Sequence, residues 1–139
     1  MNPVVHFEMG YFDKERMKKF YENALGWKLN QMGAEMGNYI VAQTTETDAQ
    51  GMVQTPGTIN GGFYQKTENA DSHAPSVVIS VPDIRVAMKA VVDQGGTIMG
   101  AMKADGTRTM EPDEIPGVGL WISARDTEQN RFSLLQPKQ

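Results

Sequence analysis

The sequence predicts an α+β fold in which two tandem βαβββ modules form a half-open mixed β-sheet barrel with the helices on the outside. One observation is a repeat: a strand-like run, an aspartate, an amphipathic stretch and a glycine follow one another twice along the chain. A second is the spacing, because Asp13 and Asp83 are 70 residues apart, and so are Gly26 and Gly96. A third is that the opening strand of each module has one apolar and one mixed face. The apolar faces suit helices, and the mixed faces suit a cavity.

The first module is predicted over residues 1–66. Its opening strand covers residues 4–9, with His6 and Glu8 on one face and an apolar opposite face formed by Val5, Phe7 and Met9. Asp13 is a helix N-cap and Gly26 a helix end. Between them, one helical stripe carries the apolar side chains Met17, Phe20, Tyr21, Ala24 and Leu25. Further strands are predicted at about 27–31, 38–43 and 58–65.

The second module is predicted over residues 76–139, after a polar linker over 67–75. It repeats the pattern with a strand at 76–81, an N-cap at Asp83 and a helix whose stripe contains Ile84, Ala87, Met88, Val91 and Val92. Strands at about 97–101, 120–123 and 132–136 complete it. The acidic stretch 111–119 is expected to be a solvated loop. Residues 1–139 therefore form a single domain of two modules.

Composition excludes several classes of function. The 139 residues include 13 basic and 17 acidic side chains, and a net charge of −4 is opposite to that of a nucleic-acid-binding surface. The chain has no cysteine, which removes disulfides, thiolate metal sites and cysteine nucleophiles. No apolar run approaches the roughly 18 residues of a membrane span. The amino terminus has no basic segment of the kind found in secretory signals, so a cytoplasmic protein is expected.

The faces turned toward the predicted cavity supply the candidate site residues. His6 and Glu8 share a strand face and are candidates for catalytic acid–base work. The alternative for His6 is a structural hydrogen bond within the cavity. Aromatic side chains with a polar tip suit a flat or apolar ligand, and the candidates are Tyr39, Tyr64 and Trp121. By strand alternation, small hydroxyl groups face inward and are candidates for substrate binding at Ser76, Ser123 and Ser133.

Three segments resemble the vicinal oxygen chelate superfamily, which includes glyoxalase I, bleomycin-resistance proteins and ring-cleaving dioxygenases. The first combines the VHFE run at 5–8 with FYENALGW at 20–27, the second is VPD at 81–83, and the third is DTEQNRFSLLQ at 126–136. The IPGVG run at 115–119 is similar to a loop of a poorly characterised glyoxalase-related branch. The resemblance implies the paired-module fold, a small-molecule ligand and a homodimer.

The resemblance also marks four metal-ligand positions, at the first and last strand of each module. In this sequence they carry His6, about Gly62, Ser76 and Ser133. A catalytic divalent metal needs about three protein ligands, and His6 alone is of a suitable type. No cofactor is therefore expected, a divalent metal is disfavoured, and Gly62 joins the candidate substrate-binding residues.

Several functions follow from these patterns. The preferred one is binding of a small organic molecule in the cavity without the full metal site, with acid–base catalysis by His6 and Glu8 as its enzymatic form. The alternatives are a metal-dependent lyase or dioxygenase of the same superfamily, a ligand-sequestering protein of the drug-resistance kind, and a non-catalytic domain that keeps the fold for dimerisation. No nucleic acid and no membrane partner is expected.

Overall fold

The computed structural model describes residues 1–103 and 105–139, apart from the side chain of residue 35. The chain divides into two compact units. The first unit is His6–Pro75, and the second unit combines Met1–Val5 with Ser76–Gln139. The amino-terminal residues are joined to the second unit by a backbone hydrogen bond of 2.9 Å, which the Ser80 N–H donates to the Pro3 carbonyl.

The first unit contains one helix and the strands that pack against it. Its elements are β1 (Val4–Tyr11, of which the part from His6 belongs to this unit), α1 (Lys14–Leu25), β2 (Lys28–Gln31), β3 (Ile40–Gln43) and β4 (Asn60–Gln65). The strands lie in the order β2-β3-β4-β1. The β1–β4 pair is parallel, and the other two pairs are antiparallel. Short 3-10 helices occupy Ala34–Met36 and Ala70–Ser72.

The second unit repeats this topology with additional short strands. Its elements are β5 (Ser76–Ser80), α2 (Ile84–Asp93), β6 (Thr97–Met102), β7 (Arg108–Thr109), β8 (Asp113–Ile115), β9 (Gly119–Arg125) and β10 (Arg131–Pro137). The strand order is β5-β10-β9-β6-β7, and β8 pairs with β9. As in the first unit, the opening strand lies parallel to the last strand. The predicted α+β fold with a βαβββ repeat is therefore confirmed.

Both helices begin where the sequence predicts, and α1 also ends there, while α2 ends at Asp93, ahead of the predicted glycine. The Asp13 carboxylate accepts the Arg16 backbone N–H at 3.0 Å, and Gly26 ends α1 with φ of +71°. The Asp83 carboxylate accepts the backbone N–H groups of Arg85 and Val86, at 3.0 and 3.1 Å. Each aspartate thus satisfies N–H groups that have no partner within the helix, and Gly26 takes a left-handed conformation at little steric cost.

The prediction of an unpaired loop at 111–119 was wrong in part. Asp113–Ile115 forms β8 and pairs with the start of β9, from Gly119 to Trp121. The strand is only three residues long, so it has no periodicity that a sequence pattern can detect. Pairing with the backbone of β9 determines where β8 forms.

Each unit has its own apolar core on the helix side of its sheet. The first is centred on Phe63 and Ile40, with Phe7 and Met9 of β1 packed against it together with Met17, Tyr21 and Trp27. The second is centred on Ile84, Ile122 and Leu134. The predicted apolar role of Phe7 and Met9 is confirmed. Since side chains alternate along a strand, the residues between them lie on the other face of each sheet.

In the part of the chain that the structure describes, neither helix has the length and hydrophobicity required to cross a bilayer.

Substitution of Asp83 tests whether its side chain stabilises α2 as an N-cap. We expect Asp83→Ala to lower the free energy of unfolding by about 1 kcal/mol, because two N–H groups lose their acceptor. Asp83→Asn retains a side-chain oxygen and is expected to stay close to the wild type. Urea denaturation measures both variants. An equal loss in the two would contradict capping as the source of the stability.

Candidate functional site

Strands β1 and β4 bring the first-unit candidates onto one sheet face. In their parallel register, His6 lies beside Asn60 and Glu8 beside Gly62. Tyr64 follows Gly62 by two residues and therefore shares its face. This is the face opposite to Phe7 and Met9, which pack on the helix side.

Tyr39 completes the cluster from the edge of β3. Val41 is the cross-strand partner of Gly62, so Tyr39, two residues earlier, lies diagonally across from that glycine. The hydroxyl group of Tyr39 lies where a Cβ at position 62 would stand, so any side chain there would overlap it. The same hydroxyl donates a hydrogen bond to the Glu8 carboxylate. We refer to Glu8, Tyr39 and Gly62 as the carboxylate–phenol cluster.

Burial and Glu8 together keep Tyr39 protonated. Burial raises the pKa of the Tyr39 phenol far above its usual range. The negative charge of Glu8, the hydrogen bond to Glu8 and the nearby Tyr64 raise this pKa further. The phenol is therefore a fixed hydrogen-bond donor. Its hydrogen bond goes to the Glu8 carboxylate, which is a charged acceptor.

His6 lies two residues from Glu8 on the same strand face, about 7 Å along the strand. The side chain is half-buried, and burial lowers the pKa of its imidazole below the ordinary value of 6.5. The imidazole is therefore neutral at neutral pH, with one nitrogen able to accept a proton. A neutral histidine beside a carboxylate can perform general acid–base chemistry without a metal.

Two other polar side chains, those of Asn60 and Tyr64, form hydrogen bonds near the carboxylate–phenol cluster. The Asn60 side-chain oxygen accepts the backbone N–H groups of Thr44 and Thr45, at 2.7 and 3.1 Å. These bonds fix the start of the long segment between β3 and β4. The Tyr64 hydroxyl group lies 3.5 Å from the Ala74 carbonyl. Asn60 is not among the residues that the sequence predicts for the site, although its position beside His6 follows once the strand register is known.

The corresponding face of the second unit carries a row of serines. Ser123 and Ser133 are cross-strand partners, and both are buried. Ser76 is buried as well, and its hydroxyl oxygen lies 3.4 Å from a guanidinium nitrogen of Arg131. Trp121, half-buried, lies opposite Leu135.

Arg131 was missed by the sequence analysis. Arg131 lies two residues before Ser133 on the same strand, so alternation places it on the face that carries the serines, here called the serine face. This spacing could have identified Arg131 from the sequence. Arg125 is its cross-strand partner on β9. The serine face therefore includes positive charge, which the candidate residues alone did not indicate.

The side chains on these two polar faces do not fit the divalent metal that the family resemblance implies. Among the described residues, no group of three or more His, Cys, Asp or Glu side chains lies close enough to hold a metal ion. At the inherited ligand positions, Gly62 offers no side chain, and Ser76 and Ser133 are poor ligands for Zn²⁺, Ni²⁺ or Fe²⁺. Tyr39 fills the space above Gly62.

The class of protein is defined by two βαβββ units, each with a helix-covered face and a polar face. The sequence matches the Glyoxalase/Bleomycin resistance protein/Dioxygenase superfamily over residues 4–133. The chain therefore belongs to this superfamily. Among curated protein sequences, no significant match was found.

Solved structures with the same fold cover nearly the whole chain. A variant of Streptomyces coelicolor methylmalonyl-CoA epimerase, in complex with 2-nitronate-propionyl-CoA, has a TM-score of 0.66 at 11% identity, covering 98% of this chain and 97% of that one. A hypothetical protein from Bacillus halodurans has a TM-score of 0.63 at 12% identity, covering 99% and 96%. A Legionella pneumophila protein described as an NAD-dependent benzaldehyde dehydrogenase has a TM-score of 0.57 at 12% identity, covering 96% and 98%. At these identities the similarity shows the fold alone.

The lowered pKa of His6 makes stability depend on pH. The unfolded chain binds a proton near the ordinary pKa of 6.5, whereas the folded chain does so only at lower pH. The stability is thus fully present above that value and is lost as the pH falls toward the folded pKa. We expect acidification from about pH 7 to pH 5 to destabilise the wild type more than His6→Gln.

Urea denaturation at several pH values measures this difference. His73→Gln, at the exposed second histidine, is the matched control and is expected to follow the wild type. Equal pH dependence of the wild type and His6→Gln would contradict the assignment of this loss to His6.

Proposed function

We propose that this chain binds a small organic molecule through the polar face of its first unit, and that it does so without a divalent metal. One observation carries the proposal: the Tyr39 hydroxyl occupies the space above Gly62 and donates to Glu8. An organic hydrogen-bonding pair thus stands at a position that the family resemblance assigns to a metal ligand.

The chemistry of the cluster indicates the kind of ligand. The Glu8 carboxylate is a charged hydrogen-bond acceptor on this face, and such a group suits a ligand with hydroxyl or amine donors. The net charge of −4 also favours cationic over anionic molecules at the level of the whole protein. For the second unit, we propose that Ser76, Ser123 and Ser133 contact ligand oxygen atoms and that Trp121 offers an aromatic surface.

Ligand-induced thermal stabilisation tests the binding proposal. The probes are a panel of small hydroxylated and amine-bearing compounds, offered with a metal chelator present. We expect compounds of this class to raise the Tm of the wild type, since a ligand at a hundred times its Kd stabilises by about 2.7 kcal/mol. Glu8→Gln is expected to lose the shift, because a neutral amide is a weaker acceptor for cationic donors.

The matched control is Glu22→Gln, which removes an exposed glutamate from α1. It is expected to retain the shift. Binding that appears only after Zn²⁺, Ni²⁺ or Mn²⁺ replaces the chelator would contradict the metal-free part of the proposal. A panel without any stabilising compound would contradict the binding itself.

Proton transfer is the second candidate function, and the lowered pKa of His6 favours it. A neutral imidazole can accept a proton from a carbon or oxygen acid and later return it. One similar structure is a methylmalonyl-CoA epimerase, so methylmalonyl-CoA is the first substrate to test. The hydrogen bond from Tyr39 holds the Glu8 carboxylate on the face that it shares with His6, where the carboxylate would orient a bound acid.

Exchange in deuterated water measures this activity directly. If His6 is the base, the wild type catalyses replacement of the proton on the methyl-bearing carbon of methylmalonyl-CoA by deuterium, seen as loss of its NMR signal. His6→Gln is expected to slow the exchange by about 100-fold or more, whereas His73→Gln leaves it unchanged. A wild-type rate equal to that of buffer would exclude this substrate.

The proposal extends to the assembly and location of the protein. We propose a homodimer in the cytoplasm, as the family resemblance implies. Light scattering during size-exclusion chromatography tests the dimer, since one chain has a mass of 15.4 kDa. Fractionation of cells that express the chain tests the location.

A further inference from the structure

The first unit contains a cleft on the helix side of its sheet. This cleft lies between the end of β1, the start of α1 and the segment that follows β4, and its volume is about 450 Å³. Met9, Met17, Tyr21 and Phe63 contribute apolar surface to it. Met9 lies on the face of β1 opposite to Glu8, so the cleft is separate from the carboxylate–phenol cluster. Its volume falls in the range of small-molecule sites.

Two phenylalanine side chains at the cleft are more exposed to solvent than is favourable for apolar rings. Phe12 is 64% and Phe20 is 59% exposed, although each belongs to a lining otherwise rich in apolar contacts. Each exposed ring presents a broad apolar surface to solvent. A ligand that covers both rings would gain apolar burial without displacing any buried side chain.

Two cationic side chains line the same cleft. The Lys66 ammonium lies 4.7 Å from the centroid of the Phe12 ring. Arg16, in the first turn of α1, also lines the cleft, and within the described residues neither Lys66 nor Arg16 forms an ion pair with a carboxylate. Asp13 is the carboxylate among the lining residues, and it is engaged as the cap of α1.

His73 adds a third polar group at the same ring. Its imidazole lies edge-on to Phe12, with ring centroids 5.6 Å apart. The Nε2 atom lies 2.8 Å from the Thr67 carbonyl oxygen, which holds the ring in place. An apolar floor with Arg16, Lys66 and His73 beside it is the arrangement that suits a negatively charged head group on an apolar body.

We propose that this cleft is a second ligand site, which binds a small amphipathic anion consisting of a carboxylate or sulfonate on a flat aromatic body. The aromatic body packs on Phe12, Phe20 and the two methionines. The acid group lies toward Lys66 and Arg16. The site is independent of Glu8 and His6, and it does not depend on the proposed function.

Anilinonaphthalene sulfonate is a suitable probe, because it is a fluorescent aromatic anion. Its neutral counterpart, phenylnaphthylamine, has the same rings without the sulfonate. We expect the wild type to bind the sulfonate in preference to the neutral compound. In amide NMR spectra, the sulfonate is expected to shift the signals of Gly10, Phe12, Arg16, Lys66 and His73.

The double variant Arg16→Gln/Lys66→Gln is expected to weaken sulfonate binding by about fivefold or more, since each charge contributes at a partly exposed site. Affinity for phenylnaphthylamine stays the same. The control Lys19→Gln/Lys138→Gln also removes two positive charges, but from exposed positions outside this cleft. It is expected to bind both compounds as the wild type does.

Three results would overturn the proposal. One is equal affinity of the wild type for the sulfonate and the neutral compound. Another is a loss of sulfonate binding in the control double variant as large as that in Arg16→Gln/Lys66→Gln. The third is NMR shifts confined to residues outside the cleft. Both double variants replace partly or fully exposed polar groups, so their folding is expected to be unaffected, and thermal denaturation verifies it.

Discussion

The packing of Phe7 and Met9 against the core beneath α1 determines where chemistry can occur in the first unit. Once these two side chains are committed to the apolar core, alternation along β1 leaves His6 and Glu8 on the opposite face. The parallel register with β4 then places Gly62 beside Glu8. A shift of one residue would bury the histidine and the carboxylate in the core and expose the phenylalanine. Hydrophobic burial therefore holds the polar cluster in place, although no apolar residue belongs to it.

The two units share a strand order but differ in the chemistry of their polar faces. The first unit carries a carboxylate, a phenol and an imidazole, while the second carries serine hydroxyls and two arginines. The two units have the same apolar side, because in each a helix with an aspartate N-cap packs over the sheet. The helix-facing residues pack beneath a helix in each copy, whereas the residues of the polar faces do not. The two polar faces therefore differ in chemistry although the strand order of the two units is the same.

The elements that the sequence predicted well are those with local causes. Asp13 and Gly26 define α1 through hydrogen bonds and backbone conformation within one turn of the helix, so both ends follow from the sequence. The bond between Tyr39 and Glu8 joins two strands that are not adjacent in the sheet, and it depends on the register of both with β4. The hydrophobic periodicity of the sequence does not specify that register. The pairing of β8 was missed for a related reason, because its neighbour's backbone fixes it.

The overlap between Tyr39 and position 62 constrains the evolution of this chain. A histidine or glutamate at position 62 would collide with the phenol, so such a replacement is disfavoured while Tyr39 is present. Loss of Tyr39 alone would remove a hydrogen-bond donor from Glu8, so that step has a cost as well. A metal ligand at this strand position would therefore require Tyr39 to move or to be replaced. The residue types that position 62 accepts are thus decided by Tyr39 and not by the strand on which position 62 lies.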